Sequence, residues 1–266
     1  GNAGNDWLNG GAGADWLDGG AGVDTANYGW SSAGVTVNLA VTAAQNTGGA
    51  GLDTLRGIEN VAGSNFNDFL YGDGGANTLT GNAGADWLRG GAGNDWLDGG
   101  AGVDMALYDD AGAAVTVNLA LTGAQATGGA GTDTLRAIEN LMGSAYADTL
   151  SGDANANMLI GGAGADTLAG GAGADVFYYR SVAESAAAAS DLIADFAVGD
   201  TINLAAIDAN ATTTANDAFT RVSAFTGVAG QLVFTPASAG NGNTGLLSGD
   251  VNGDSAADFA IRLAGV

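Results

Sequence analysis

Apolar residues in this chain recur every nine positions. Between Gly81 and Leu107 the sequence reads GNAGADWLR, GGAGNDWLD, GGAGVDMAL, with no gap between units. Each unit opens with a small, Gly-rich hexamer ending in Asp (Asp86, Asp95, Asp104). It closes with a three-residue segment whose middle member is apolar or small (Leu88, Leu97, Ala106). An amphipathic helix would repeat its apolar positions about every 3.6 residues, and a long half-buried strand would alternate strictly. A nine-residue period predicts instead a turn and a short strand in alternation, two units to a coil. Leu8, Leu17, Leu70, Leu79, Leu88, Leu97, Leu150, Leu159 and Leu168 take position eight. They are the predicted core, a narrow stack between two sheets.

A longer repeat is written over the short one. Gly1 aligns with Gly81, Asp24 with Asp104, VTVNLA (35–40) with VTVNLA (115–120), DTLRGIEN (53–60) with DTLRAIEN (133–140), and GSNFNDFL (63–70) with GSAYADTL (143–150), always at an offset of 80. The tandem super-repeats are thus 1–80 and 81–160, and a partial third starts at Gly161. The register loosens from Tyr28 to Ala62 and in the matching part of the second copy. VTVNLA alternates as a strand should, and GGAGLDTLR (48–56) and GGAGTDTLR (128–136) still fit the nonapeptide. The coil is therefore expected to continue through both segments with wider turns. From Val176 the period is lost, and FYYR (177–180), DLIADF (191–196), DTINLAAI (200–207), GQLVFT (230–235) and ADFAIRLAG (257–265) read as strands of a non-repeating cap. Such a cap would cover an open sheet end that otherwise invites aggregation.

Composition sharpens the picture. Gly supplies 48 of 266 residues with a single Pro, against a usual share of about 7%; the turns must visit backbone angles closed to residues with a Cβ. Formal charge is −23, every one of the 6 basic residues is Arg, and only Glu59, Glu139 and Glu184 among the 29 acidic residues are not Asp. A merely solubilising surface would use Glu as freely, so the shorter carboxylate is there to hold something close to the turn. Nucleic acid is an unfavourable partner at this charge. With no Cys and no His, disulfides, zinc sites and His-based catalysis are excluded. No apolar run approaches the roughly 20 residues of a membrane span.

Hard, negative oxygens at this density suit Ca²⁺. Units n and n+2 should stack about 4.8 Å apart, so that an Asp at position six of one faces its counterpart in the next. Two such carboxylates repel, and a divalent cation between them reverses the sign. Asp6 with Asp24, Asp68 with Asp86, and Asp86 with Asp104 are the pairs with no irregular segment between them. Asn77 with Asp95, Asp148 with Asp166, and Asn157 with Asp175 follow, and Asp15, Asp53 and Asp133 complete the set. Where Asn replaces Asp at position six, Asp73 or Asp153 stands at position two of the same unit. The remaining oxygens would come from turn carbonyls of Gly1, Ala3, Gly10, Ala12, Gly20, Gly22, Gly81, Ala83, Gly90, Ala92, Gly100, Gly102, Gly161, Ala163, Gly170 and Ala172. Asp191 and Asp195 lie where the cap meets the last unit and are candidates to close the final site. GDVNGDSAAD (249–258) begins like an EF-hand loop, but Ser255 stands where the loop needs Gly and Ile261 where it needs Glu, so a polar hairpin is the favoured reading. Glu59 and Glu139 are copies of one another, which argues for a structural role, such as pairing with Arg56 and Arg136.

The unit GGxGxDxUx, with U large and apolar, resembles the RTX, or hemolysin-type calcium-binding, repeats of secreted bacterial proteins, and near-matches run from Gly1 to Tyr178. DLIADFAVGDTINL, GQLVF and GDVNGDSAADFAIRL resemble the C-terminal region of serralysin-type proteases. The resemblance implies an all-β fold, a right-handed parallel β-roll over 1–175 with a C-terminal β cap over 176–266. It implies several Ca²⁺ ions, export in an unfolded state through type I secretion machinery, and calcium-driven folding outside the cell. The family's proteases carry a zinc-binding HExxH motif that has no counterpart in a chain without His, so no enzyme is expected within these residues. The chain opens inside a repeat and stops short of the family's apolar export signal, so both ends read as truncated.

Trp7, Trp16, Trp87 and Trp96 stand at position seven, where side chains should point outward. Three functional readings stay open: a calcium-folded export and stability module of a larger secreted protein, a surface-layer or adhesin segment whose copies assemble through these Trp residues, and a polysaccharide-binding accessory module.

Overall fold

The computed structural model describes residues 1–238 and 244–266. Among them every regular element is a β-strand except one 3₁₀ turn, Val182–Ser185. The chain forms two compact units, one of Gly1–Ala113 with Leu121–Met142 and one of Ala114–Ala120 with Gly143–Val266.

In the first unit the nonapeptide strands pair in parallel with like members. Trp7–Leu8, Thr25–Asn27, Asn60–Ala62, Thr78–Thr80, Trp96–Asp98 and Gly131–Arg136 follow one another in one sheet. Thr36–Asn38, Phe69–Tyr71, Trp87–Arg89, Met105–Leu107 and Asn140–Met142 form a second parallel run. Register is strict where the repeat is strict: Leu88 lies between Leu70 and Ala106, and Leu97 between Leu79 and Leu135. Position eight faces inward. Leu70, Leu79, Leu88 and Leu97 are wholly buried and Leu17 nearly so, while Leu8 is only half-buried. This is the parallel β-roll that the period predicts.

The irregular segments differ from the expected wider turns. Each folds back as an antiparallel pair, Gln45–Asn46 against Leu52–Arg56 and Gln125–Gly128 against Gly131–Arg136. Gly48 and Gly128, with φ of 71° and 75°, make the reversal, because a left-handed backbone lets the chain double back without a Cβ clash. The outgoing strand then rejoins the parallel stack, Leu55 beside Leu17 and Leu135 beside Leu97. Close coil contact makes Gly obligatory at Gly131 (φ 117°), where a Cβ would collide with the carbonyl oxygen of Gly93.

In the second unit Thr116–Asn118, Thr149–Ser151, Thr167–Ala169, Asp191–Ile193 and Phe259–Leu263 run parallel. The sheet then turns antiparallel through Gly245–Asp250 and Gln231–Thr235, with Thr220–Val222 parallel to the latter at the edge. Met158–Ile160, Val176–Tyr178 and Thr201–Asn203 make a second parallel run. Leu150, Leu159, Leu168, Phe177 and Ile193 are buried and carry the inward layer onward beyond the last nonapeptide.

A core one side chain thick leaves no slack for a missing methyl group. Leu97→Ala is expected to cost about 2–5 kcal/mol, the range for large-to-small core changes. Denaturant unfolding in saturating calcium measures it, and a change below about 1 kcal/mol would mean that position eight is not a packed core.

Candidate metal centre

Each nonapeptide turn delivers its position-six side chain to the edge of the roll, and the edges stack. The backbone N–H of one unit donates to Oδ1 of the Asp one coil on: Asp6 to Asp24 (2.7 Å), Asp68 to Asp86, Asp86 to Asp104, Asn77 to Asp95, Asp148 to Asp166 and Asn157 to Asp175 (2.8 Å each). Asp15 to Asp53 (3.2 Å) and Asp95 to Asp133 (3.0 Å) continue the pattern across the irregular segments, at separations of 38 residues. The structure thus brings together every pairing expected from the spacing. The carboxylates form rails, each lying within one compact unit.

Four further acidic groups enter the rails. Glu59 and Glu139 accept through Oε2 from the N–H of Asp24 and Asp104, 2.8 Å each. Their longer stems reach the rail from the residues just before the strands Asn60–Ala62 and Asn140–Met142. Arg136 is 3.8 Å from Asp98. Asp191 and Asp200 accept from Asp166 (2.9 Å) and Asp175 (3.0 Å). Both follow their partner by 25 residues, a regularity present in the sequence. Asp195 caps the turn next to them, taking Gly170 N–H on Oδ1 and Gly171 N–H on Oδ2.

The second carboxylate oxygen carries the chemistry. In Asp15, Asp24, Asp86, Asp95, Asp104, Asp166, Asp175 and Asp191, Oδ2 is buried and has no hydrogen-bond partner. A buried, unpartnered carboxylate oxygen is costly, and eight of them cannot be incidental. Position one is glycine for the same reason. A Cβ on Gly81 would fall against Asp86 Oδ2 and the carbonyl oxygen of Gly99, and one on Gly90 or Gly161 would meet Asp95 or Asp166 Oδ2. The Gly90 carbonyl likewise sits beside Asn77 Oδ1, and the Gly161 and Gly170 carbonyls beside Asp148 Oδ2 and Asn157 Oδ1. The turns of Asp24, Asp86 and Asp104 thus each hold a cradle lined by the free carboxylate oxygen and a backbone carbonyl, of Gly57, Gly99 and Ala137. Ala3 lies beside Ala21 and Ala83 beside Ala101, which stacks the carbonyl-bearing turns coil on coil. Among the described residues no three acidic side chains converge on one point. One or two carboxylates completed by backbone carbonyls is a donor set that fits Ca²⁺, a hard ion taking six or more oxygens.

Not every expected residue stands in such a cradle. Asp73 Oδ1 accepts from Gly75 N–H, and Asp153 from Asn155, so both close turns inside their own units. Asn77 Oδ1 accepts from Asp73 N–H while Nδ2 donates to the Glu59 carbonyl, 2.8 Å each. Asp53, Asp68, Asp133 and Asp148 have both oxygens engaged by protein donors. The 249–258 loop is a hairpin connection between Gly245–Asp250 and Phe259–Leu263. Its Asp250 and Asp258 accept from N–H groups of the loop itself.

The family model for the Peptidase M10 serralysin C-terminal region matches residues 4–266. No curated protein matches the chain.

Burial is the main reason that these carboxyls hold protons above the usual carboxylate range. It pushes Asp86 up to about 7, Asp95 and Asp166 to about 6 and Asp191 to about 8; the ladder N–H groups oppose the shift and the neighbouring carboxylates add to it. Folded carboxyls with raised pKa bind more protons than the unfolded chain, whose carboxyls titrate near 3.9. Stability of the calcium-stripped fold therefore falls as pH rises from about 4 to about 8. Calcium-stripped protein is expected to show more β-type circular dichroism at pH 5 than at pH 8. Calcium, which competes with those protons, should remove the difference at pH 8. Equal spectra of the stripped protein at the two pH values would contradict a buried, uncompensated rail.

Proposed function

We propose a function from the premise that this chain belongs to the serralysin-type C-terminal family: it is an RTX-type calcium-binding module of a secreted protein and the non-catalytic part of it. Calcium is the switch between an expanded chain and the roll. The protein crosses the cell envelope unfolded through type I secretion machinery, then folds outside the cell, where the roll over 1–175 and the cap over 176–266 stabilise the parent protein.

The set of eight orphaned, buried carboxylate oxygens carries this reading. With a net charge of −23 and a core one layer deep, the metal-free roll has strong self-repulsion and little apolar burial to offset it. A ligand that binds only the folded state adds about 2.7 kcal/mol per site at one hundred times its Kd. A few such sites match the whole 5–15 kcal/mol or so of a typical domain. Extracellular modules bind Ca²⁺ at roughly 10⁻⁴–10⁻³ M, which leaves the chain empty where calcium is scarce.

Calcium titration of the stripped protein, followed by circular dichroism and hydrodynamic radius, tests it. The chain should contract and gain β structure cooperatively, and Asp86→Asn with Asp104→Asn should move the midpoint to higher calcium. A β spectrum and radius unchanged by chelation would refute it.

The outward tryptophans favour a second role for the same surface. Trp7 and Trp16 are 66% and 64% exposed and Trp87 and Trp96 42% each. Trp7 lies in register with Thr25, Trp16 with Thr54, and Trp96 between Thr78 and Thr134, while Trp87 packs on Phe69 at 5.3 Å. A flat ring flanked by hydroxyls is suited to stacking on a sugar face. Retention on polysaccharide that is lost in Trp96→Ala would support this role; equal retention by both proteins would remove it.

A further inference from the structure

We propose that calcium is excluded wherever an irregular segment interrupts a rail, because the carboxylate facing the interruption is clamped by the protein's own hydroxyls. The proposal rests on the calcium reading above and specifies which of its carboxylates hold metal.

The position-six carboxylates fall into groups by their second oxygen. Seven have it buried and unpartnered, as does Asp191 beyond the nonapeptides. Five have it filled: Asp6, in the first coil, by Asn2 N–H at 3.1 Å, and four others by clamps. Asp53 Oδ2 accepts from Thr47 Oγ1 at 3.0 Å and from the Tyr28 hydroxyl at 3.3 Å, while Oδ1 accepts from Asp15 N–H. Asp133 Oδ2 accepts from Thr127 Oγ1 at 3.0 Å, with Oδ1 on Asp95 N–H. Asp68 Oδ2 accepts from Ser64 N–H at 2.6 Å, and its Oδ1 from Ser64 Oγ and Val35 N–H at 2.7 Å each. Asp148 repeats that arrangement with Ser144 and Val115. Thr47, Thr127, Ser64 and Ser144 are all buried, so these are interior clamps and not surface contacts.

The four clamped groups share one location in the topology. Asp53 stands opposite Gln45, and Asp133 opposite Gln125, on the antiparallel strands that fold back on the stack. Asp68 and Asp148 stack on Val35 and Val115, which occupy the place of the preceding carboxylate. Each therefore has an acidic rail neighbour on one side only, whereas Asp86 has Asp68 and Asp104 on either side. A cation gains most between two carboxylates and least beside a lone one. Donor hydrogens already aimed at both oxygens of the lone one repel a cation further. Hydroxyl donors satisfy the end group at the cost of one proton direction each, without the dehydration of an ion.

Bound calcium per chain, counted on the saturated full-length chain by equilibrium dialysis and atomic emission, tests the assignment. Asp53→Asn with Asp133→Asn should keep the wild-type count, while Asp86→Asn with Asp104→Asn should lose at least one ion per chain. An equal loss in both pairs would overturn the proposal. Thr47→Val with Thr127→Val leaves the carboxylates in place and covers the case in which the first pair does not fold. It should lower the thermal midpoint in saturating calcium with no ion lost, and loss of an ion with the hydroxyls would again overturn the proposal. A wild-type chain that bound no calcium would instead sink the underlying calcium reading, an outcome recognisable without any variant.

Discussion

Like charges held one strand spacing apart are the constraint on which this structure depends. The ladder bond from a position-six N–H to the Oδ1 one coil on draws Asp86 between Asp68 and Asp104 and leaves its Oδ2 buried in the turn with nothing to receive. The same hydrogen bond that sets the register thus creates the repulsion. Backbone geometry alone cannot relieve it, because the arrangement that pairs the strands also aligns the carboxylates. Relief must come from a positive partner, and the chain has only six cationic side chains to offer. Arg89, for instance, is committed to Asp109, its NH2 atom 2.6 Å from a carboxylate oxygen, and to the face of Tyr71. A metal ion is the remaining kind of partner that can be compact, multiply charged and oxygen-bound.

Packing and electrostatics agree on one period, and this is why the fold tolerates so thin a core. Leu97 between Leu79 and Leu135, and Asp95 between Asn77 and Asp133, come from the same coils. A register slip of one residue would turn the leucines outward and separate the carboxylates from their cradles in a single step. Glycine at position one belongs to both systems, since it admits the carboxylate oxygen and lets the next carbonyl approach. The inward layer fixes which coils stack, and the rails set how strongly the stack holds.

Much of this was legible in the sequence because a nonapeptide determines its own neighbours. Once two units make a coil, Asp68–Asp86 and Asp86–Asp104 follow from counting, and so does the inward set of leucines. The antiparallel returns were not legible. Their strands GGAGLDTLR and GGAGTDTLR still satisfy the unit, and what differs is the path that leads into Gly48 and Gly128. Glu59 and Glu139 were visible as copies but not as rail members, since a side chain one methylene longer can meet the rail from a place no fixed spacing marks. Asp191 and Asp200 shared a separation of 25 residues from Asp166 and Asp175, a signal that the nine-residue count passed over. Hydroxyl clamps escaped for a related reason: Thr47 and Ser64 lie six residues before and four before their carboxylates, and nothing in the nine-residue count marks a hydroxyl there as a partner of the carboxylate.

What repeats at 80 residues is therefore more than two stretches of regular coil. Tyr28, Thr47, Glu59 and Ser64 have counterparts in Tyr108, Thr127, Glu139 and Ser144, and each hydroxyl or carboxylate sits where the rail is broken or spliced. An insertion into an acidic stack leaves buried charge exposed to no partner at both of its edges. It can persist only if it brings the donors that close those edges and an acidic group that carries the ladder past it. The third copy contains no such insertion before the nonapeptides end, and there the ladder is taken over by Asp191, on the strand that pairs with Phe259–Leu263, and by Asp200, just before Thr201–Asn203. Each antiparallel return in this chain is thus matched by side chains that satisfy the rail ends beside it, at Asp53, Asp68, Asp133 and Asp148.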